Sequence, residues 1–474
     1  MSSGKICEMS PAVVPEGNAF FDGFEVARRL RRRGLGDALA SLSDGTLLEI
    51  VQSCSTSTLC ALCCVSRGIR CFASFEDLWR ERFLETMGSV FEWRGTWKAT
   101  LLKTTPFEIS GAALYSDLLY QPQRIVSARR LVARGSVETV RRVTSAIFDE
   151  SRPAVFEKAF EPPKSLLNFE KDVRCHVGGY DMRIRDFLKY ANHNNDDRPL
   201  LLFDKTFLDD DENKMKIDSF SLNEFVASQF SEDFFELFTG DWRPDHRWLI
   251  AGGPGSGSTW HVDPNGTNAW NACLSGRKRW FFSPTPPEGV YPSSDGLDVA
   301  APVSVTDWYL AFYGTAKKHL LECNVGPGDV VYVPSGWWHA VANDDETLTV
   351  AITQNFCSKS SLAKTLKLLR DQPHLVSGLR RPRTHDKAKL GSQFFQCFVE
   401  LLQRHHPALL KEVLQKLDKP TNLWQRILHQ KEEATNDVAL EDERTAKVPR
   451  LLQTQDQRRP TTAQEDSSFA FRFF

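Results

Sequence analysis

The sequence predicts an α+β protein in which a central jelly roll lies between two sets of helices. Between residues 199 and 356, short apolar or alternating runs such as PLLLFD, KRWFFSP and TLTVAITQNF are separated by Gly, Pro, Asn and Asp. Many short strands with turn residues between them are typical of a sandwich or jelly roll. On both sides of this region the apolar residues recur with a helical period. The 474 residues are enough for two or three domains.

Composition excludes several classes of function. The 59 basic and 61 acidic residues give a formal charge of -2, so no overall field draws the chain to nucleic acid or to an anionic membrane. Nucleic-acid binding stays open only for a local cluster such as RRLRRR, Arg28 to Arg33. No segment has the long uncharged apolar run of a spanning helix or a signal peptide. The eleven cysteines lack a disulfide spacing, which predicts reduced thiols and a location in the nucleus and/or the cytoplasm.

The first elements are an N-terminal extension, 1–38, and a helical module, 39–90. Ser43-Asp44 and Ser55-Thr56-Ser57 are helix start signals. The period of the apolar residues predicts two buried faces. These faces comprise Leu47, Leu48, Ile50 and Val51 on one helix, and Leu59, Leu62, Cys63, Val65 and Ser66 on the next.

This module resembles an F-box in its LLEIV helix, its VSR segment and the closing DLW at Asp77 to Trp79. The resemblance implies a partner, the Skp-type adaptor of cullin-based ubiquitin ligases. An ordinary helical bundle that caps the next domain is the alternative. A linker, 91–135, follows the module.

The jelly roll is predicted for 136–358, opening with a helix in SVETVRRVTSAIFDE, 136–150. Helices return in 359–430 and either pack on the jelly roll or pair two subunits in a homodimer. The last residues, 431–474, are polar and charged, which predicts a disordered tail.

Three side chains in the strand-rich region form a candidate metal site. His261 and Asp263 stand two residues apart, so on a strand both point to the same face. His339 follows a Gly-Pro turn and an apolar strand, and returning strands of a jelly roll lie beside earlier ones. Two histidines and one carboxylate are the facial triad that binds Fe(II) and leaves positions open for substrate and oxygen.

Further polar residues suit 2-oxoglutarate as the cosubstrate. The far carboxylate of this compound needs a cation, which a buried Lys278 supplies, and Thr353 offers a hydroxyl to the same carboxylate. Asn271 stands between Asp263 and Lys278. A surface lysine in a basic turn is the alternative for Lys278.

The two segments from Gly253 to Trp280 and from Gly326 to Phe356 together resemble the JmjC oxygenases, in the branch of the phosphatidylserine-receptor-like lysyl hydroxylase and arginine demethylase. The resemblance implies a double-stranded β-helix of the JmjC and cupin-like type, and iron ligands at His261, Asp263 and His339. It implies oxoglutarate contacts at Asn271, Lys278, Thr353 and Ser258. The family commonly has a tyrosine at position 201 that touches oxoglutarate, whereas this chain has Leu201.

The sequence thus predicts an Fe(II)- and 2-oxoglutarate-dependent dioxygenase, with ascorbate as reductant, that hydroxylates or N-demethylates protein side chains. Two alternatives stay open: a non-catalytic F-box substrate receptor, and a cupin-like protein that uses zinc or manganese. Substrate choice is expected to depend on the loops 209–220 and 286–320.

Overall fold

The computed structural model describes residues 13–17, 23–86, 92–106, 109–133, 135, 137–143, 148–162, 174–178, 180–194, 196–206, 221–230, 232–343, 348–379 and 387–417. The predicted tail, 431–474, and the loop 209–220 lie outside these ranges. None of the described helices combines the length and the apolar character that crossing a membrane requires.

The described α-helices are α1 (Phe24–Ala40), α2 (Asp44–Gln52), α3 (Thr56–Leu62), α4 (Arg67–Ala73), α5 (Glu76–Thr86), α6 (Trp97–Leu102), α7 (Asp117–Ala133), α8 (Ile184–Asn192), α9 (Ser221–Gln229), α10 (Val305–Ala316), α11 (Leu362–Asp371), α12 (Lys387–His405) and α13 (Pro407–Leu417).

The described strands are β1 (Val13–Gly17), β2 (Ile109–Tyr115), β3 (Arg141–Arg142), β4 (Ala154–Phe156), β5 (Arg174–Val177), β6 (Tyr180–Arg183), β7 (Leu201–Asp204), β8 (Arg247–Gly252), β9 (Gly257–His261), β10 (Asn268–Ser275), β11 (Lys278–Ser283), β12 (Tyr291–Pro292), β13 (Val299–Ala300), β14 (Leu321–Val325), β15 (Val330–Val333), β16 (Trp338–Asn343) and β17 (Thr349–Phe356).

Two sheets form the centre of the molecule. The larger has the strand order β3-β4-β15-β10-β17-β8-β7-β5-β6, and the smaller has the order β14-β11-β16-β9. Strands distant in sequence alternate within each sheet, as in a jelly roll, where the chain passes repeatedly from one sheet to the other. The prediction of a sheet-rich core with N-terminal helices is confirmed.

The N-terminal helices begin where the sequence predicts. The Ser43 side chain accepts a hydrogen bond from the Thr46 amide and caps α2, and Ser55 caps α3 in the same way through the Thr58 amide. Both caps satisfy amide groups that have no partner inside the helix.

The predicted apolar faces of these helices are only partly correct. Leu47, Val51 and Leu59 are buried, whereas Ile50 and Val65 are 45% and 71% exposed. A buried stripe on a short helix covers one arc, so Ile50 on the other side of α2 faces solvent. Val65 lies beyond the end of α3 at Leu62, so the helical period does not apply to it. Two apolar side chains of the helical module therefore lie on its surface.

The helical module shares one hydrophobic core with the large sheet, and Trp97 of α6 lies at the junction, fully buried. Its indole Nε1 donates to Asp196 Oδ2 over 2.8 Å, and the Tyr190 hydroxyl donates to the same oxygen over 2.6 Å. Segment 91–135, predicted as a linker, contains α6, β2 and α7 in its described residues. These contacts fix α6 against α8 and the segment that follows it.

The helix predicted for 136–150 is wrong for the residues described there. Arg141 and Arg142 form β3, which runs parallel to β4, and the amides of Thr139 and Val140 both donate to the Glu322 carbonyl. Backbone pairing with the sheet replaces the hydrogen bonds that a helix would make, so tertiary contacts override the local helical period.

Helices α11–α13 pack around Phe234, Phe235 and Phe238 and form a second core with them. Among the described residues of these helices, no large apolar side chain is strongly exposed. The homodimer through these helices therefore stays a prediction.

Candidate active site

The pairing of β9 with β16 brings the two predicted histidine ligands together. His261 and His339 are direct partners in the register of these strands, and their ring centroids lie 4.1 Å apart. Gly257 permits the approach, because a Cβ atom there would lie 1.9 Å from the Val341 carbonyl oxygen. Contact between the two imidazoles thus depends on strand pairing across the smaller sheet.

Asp263 completes the cluster from just outside the strand. Strand β9 ends at His261, but Asp263 keeps an extended backbone before the 3-10 turn Pro264–Gly266. Its Oδ2 atom lies 4.0 Å from Nε2 of His339. Candidate ligand atoms of the three residues all lie within 4.8 Å of one another, a separation that a single ion can bridge.

Backbone hydrogen bonds orient both imidazoles for metal binding. Nδ1 of His261 lies 2.7 Å from the Thr259 carbonyl oxygen, and Nδ1 of His339 lies 3.1 Å from that of Trp337. Because a carbonyl oxygen only accepts, Nδ1 carries the proton in each ring, and Nε2 has the lone pair. This second contact is the usual way in which proteins fix the tautomer of a metal-binding histidine.

The charge states of the cluster also suit a cation. Burial lowers the pKa of His261 and of His339 to about 4, so both rings are neutral near pH 7. Burial raises the pKa of the Asp263 carboxyl, whereas His261 in its protonated form and a hydrogen bond from Asn355 oppose this shift. Asp263 Oδ2 is buried without a hydrogen-bond partner among the described residues. An unpaired carboxylate oxygen facing two neutral imidazoles is the donor set that Fe(II) takes.

The cluster opens into a cavity between the two sheets. Its walls combine apolar and aromatic side chains with a few polar ones, as ligand cavities generally do. The lining residues are Phe203, Trp248, Ile250, Ser258, His261, Asp263, Pro264, Ala269, Asn271, Lys278, Trp280, Val333, His339, Val341, Thr353 and Asn355. All seven residues that the sequence singled out for metal and cofactor are among them.

Lys278 is the buried cation of this cavity. Its side chain is 4% exposed, its Nζ lies 3.4 Å from Oδ1 of Asn271, and no carboxylate of the described residues forms an ion pair with it. Burial lowers its pKa to about 8. A buried ammonium without a counterion is costly unless a ligand supplies the negative charge. The site is therefore suited to an anionic ligand.

Thr353 lies opposite Asn271 in the pairing of β17 with β10, so the two side chains share one face of the larger sheet. The Thr353 hydroxyl donates to the Trp270 carbonyl over 2.9 Å. Its proton therefore points at the backbone, and donation to a ligand requires the hydroxyl to rotate.

Position 201 differs from what the resemblance implies. Leu201 is not among the residues that line the cavity, and a Cβ atom on Gly252 would meet its methyl group at 2.7 Å. Phe203, two residues along β7, lines the cavity instead and stacks on Trp248 with the ring centroids 5.4 Å apart. The cavity wall here is aromatic.

Nine of the sixteen lining residues are not among the seven that the sequence predicted, and Phe203, Trp248 and Asn355 are three of these nine. Asn355 lies two residues beyond Thr353 on the same strand, so the period of two could have identified it. Trp248 is the direct partner of Thr353 in β8, a pairing between segments about a hundred residues apart that no local pattern shows.

Comparison with known proteins agrees with this geometry. A cupin-like domain family matches residues 144–361. The chain is similar to arginine-specific demethylase JMJ22 of Arabidopsis thaliana, with 32% identity over 441 residues that cover 86% of this chain and 84% of the relative.

Two further relatives cover less of the chain. The bifunctional arginine demethylase and lysyl-hydroxylase psr-1 of Caenorhabditis briggsae is 34% identical over 44% of this chain and 53% of its own length. The 2-oxoglutarate and iron-dependent oxygenase JMJD4 of Homo sapiens is 30% identical over 33% of this chain and 36% of its own length.

Proposed function

Because the chain belongs to the JmjC, cupin-like family of iron- and 2-oxoglutarate-dependent oxygenases, we propose that it hydroxylates lysyl side chains or removes N-methyl groups from arginyl or lysyl side chains of proteins. It is a 2-oxoglutarate-dependent dioxygenase with Fe(II) and 2-oxoglutarate as cofactors. The observation that carries the proposal is the His261, Asp263 and His339 cluster in one cavity with the Lys278 ammonium, which no carboxylate of the described residues neutralises.

Each polar residue of the cavity has a proposed role. His261, Asp263 and His339 would hold the iron through Nε2 and carboxylate oxygens, and Lys278 would pair with the far carboxylate of oxoglutarate. Ser258, Asn271 and Thr353 would complete the contacts with oxoglutarate. When bound, iron and oxoglutarate would supply reaction with dioxygen, in which one oxygen atom oxidises a substrate C–H bond and the other converts oxoglutarate to succinate and carbon dioxide. The protein orients both ligands and keeps water away through the aromatic walls.

Succinate formation tests the enzymatic proposal. The full-length protein is incubated with Fe(II), ascorbate, labelled oxoglutarate and candidate lysyl or methylarginyl peptides. We expect labelled succinate from the wild type and none from His261→Ala. In the same reaction, mass spectrometry of the peptides distinguishes hydroxylation, a gain of one oxygen, from demethylation, a loss of one methyl group.

A second candidate function concerns the helical module. We infer that it binds a Skp-type adaptor, as the F-box resemblance implies, and the exposed apolar side chains of Ile50 and Val65 support this inference. Co-purification with a recombinant adaptor tests it, with Ile50→Asp and Val65→Asp expected to abolish binding. Adaptor binding without any peptide oxidation would favour the non-catalytic receptor instead.

We also propose a nuclear or cytoplasmic location. The ten described cysteines are all free thiols, which suits a reducing compartment. Imaging of the tagged full-length chain tests this proposal, and secretion into the medium would contradict it.

A further inference from the structure

A hairpin between β11 and α10 exposes an unusual share of the apolar surface. Of the nine large hydrophobic side chains that are strongly exposed among the described residues, four lie within this segment. They are Tyr291 at 63%, Leu297 at 58%, Val299 at 43% and Val303 at 41% exposed. We call residues 290–303 the rim hairpin. Clustered exposure of this kind marks surfaces that bind another molecule.

The rim hairpin is held in one shape by its own hydrogen bonds. The Ser293 amide donates to the Asp298 carbonyl over 2.8 Å, and Asp295 Oδ1 accepts from the Ser293 hydroxyl and the Leu297 amide. These hydrogen bonds lower the pKa of Asp295, so its carboxylate stays charged at neutral pH. A hairpin fixed in this way presents its side chains without a large loss of entropy on binding.

A chain of contacts joins the rim hairpin to the metal cluster. Asn265, two residues after Asp263, exchanges two hydrogen bonds of 3.1 Å with the backbone of Ser377. Three residues before Ser377, His374 contacts the hairpin: its Nε2 lies 3.1 Å from the Asp295 carbonyl oxygen. The next residue, Leu375, lies against Gly296. The hairpin is therefore continuous with the wall that carries the iron ligand Asp263.

The described lining of the cavity offers no spare carboxylate to a lysyl or arginyl substrate. Its single carboxylate is Asp263, a candidate iron ligand, and the Lys278 ammonium repels a positive side chain. A carboxylate that pairs with a basic residue of the substrate must therefore lie outside the cavity. Asp295 and Asp298 of the rim hairpin are exposed, and they lie beside the exposed apolar side chains.

We propose that the rim hairpin is a docking surface for the part of the protein substrate that flanks the target residue. An apolar side chain of the substrate packs on Leu297 and Val299, and a basic side chain pairs with Asp295 or Asp298. This inference rests on the proposed function, because it assumes a protein substrate with basic segments. The docking surface would give affinity and selectivity outside the catalytic cavity. The substrate residues that bind it would lie at a fixed number of positions from the oxidised residue.

A peptide array tests the docking surface without turnover. The probe is an array of fifteen-residue peptides with a central lysine or methylarginine, and the full-length protein is applied with Fe(II) and oxoglutarate under nitrogen. We expect the bound peptides to share an apolar residue next to a basic residue at a constant offset from the centre. Leu297→Ser combined with Asp298→Asn should reduce retention of these peptides by about tenfold, the effect of losing one apolar and one charged contact.

The chain offers a matched control on helix α1. Val26, 42% exposed, and Asp37, whose side chain is 95% exposed, allow a comparable pair of changes, Val26→Ser with Asp37→Asn, away from the hairpin. This variant should retain the wild-type selection. Asp298→Lys is a further test. At the peptide position that binds the hairpin, this variant should prefer an acidic residue where the wild type prefers a basic one, a change that a misfolded protein cannot produce.

Admitting air to the array separates this inference from the proposed function. If peptides are oxidised and the hairpin variants select the same peptides as the wild type, the docking surface is overturned and the proposed function stands. If peptides bind through the hairpin but neither gain oxygen nor lose a methyl group, the docking surface stands and the proposed function is overturned. Absence of any common offset among the bound peptides would also overturn the docking surface.

Discussion

Replacement of Lys278 by methionine separates the stability of the fold from the binding of oxoglutarate. Methionine keeps an unbranched side chain, shorter by one atom, and removes the buried charge. Because no carboxylate of the described residues pairs with Lys278, its ammonium destabilises the cofactor-free protein. The same ammonium is the group expected to bind the anionic cosubstrate, so the two effects of the substitution have opposite signs.

The pKa of Lys278 gives the size of the effect on stability. Burial lowers this pKa from 10.5 to about 8, and a difference of that size corresponds to about 3 kcal/mol. Between pH 8 and 10.5 the unfolded chain binds more protons than the folded one, so the free energy of unfolding rises with pH. Below pH 8 the full penalty applies. Lys278→Met should therefore be more stable than the wild type by up to about 3 kcal/mol at pH 7, and the difference should shrink as the pH approaches 10.5.

Urea unfolding in EDTA at pH 7 and pH 9 measures the effect of the substitution on stability. Calorimetric titration of oxoglutarate into the Mn(II)-loaded protein measures its effect on oxoglutarate affinity. We expect a loss of oxoglutarate affinity of ~100-fold or more, because removing one partner of a buried charge pair costs about 3–5 kcal/mol. Lys364→Met is the control for loss of a lysine outside the cavity, since the exposed Lys364 donates to the Ser335 carbonyl and does not line the cavity; it should change neither stability nor oxoglutarate affinity to a comparable extent. A Lys278→Met protein that is less stable at pH 7 yet binds oxoglutarate normally would refute the reasoning.

Three more predictions concern the metal and the junction between module and sheet. Mn(II) should raise the thermal midpoint of the wild type but not that of Asp263→Ala, as scanning fluorimetry would show; an equal rise in both would exclude Asp263 as a ligand. Because burial holds the pKa of His261 and His339 at about 4, both imidazoles should stay neutral in the metal-free protein as the pH falls from 7 and protonate only near pH 4. Nuclear magnetic resonance of the ring protons measures this, and a transition centred near pH 6.5 would contradict it. Burial also raises the pKa of Glu76 from 4.5 to about 8. The folded wild type therefore binds more protons than the unfolded chain between these pH values, and its free energy of unfolding should fall as the pH rises from 4.5 to 8. Glu76→Gln should accordingly match the wild type near pH 4.5 and exceed it in thermal midpoint at pH 8, and equal midpoints at both pH values would count against a buried carboxyl.

Motifs that depend on local spacing could be predicted from the sequence. The His261 and Asp263 pair follows from a period of two along extended backbone, and the serine caps of α2 and α3 follow from the start signals. Both patterns involve residues only a few positions apart, where the geometry of the backbone fixes the relation between side chains. The same reasoning failed for 136–150, because the pairing of β3 with β4 is not a local property.

Exposure was harder to predict than the identity of the elements. Ile50 and Val65 have the spacing of core residues, yet they face solvent, and the rim hairpin is apolar and exposed. An apolar residue in a periodic pattern is buried only where another element covers it, and the covering element comes from elsewhere in the chain.

The sequence by itself determined which residues are the candidates for the chemistry: a His-x-Asp pair, a distant histidine and a lysine in a strand-rich region. Only the tertiary structure decided that Phe203 rather than Leu201 lines the cavity, that Lys278 has no carboxylate partner among the described residues, and that Asn355 lies beside Asp263. Residue types and short spacings can be read directly from the sequence. The pairing of β9 with β16 and of β10 with β17 joins segments about eighty residues apart, and the free energy of packing the whole fold selects it.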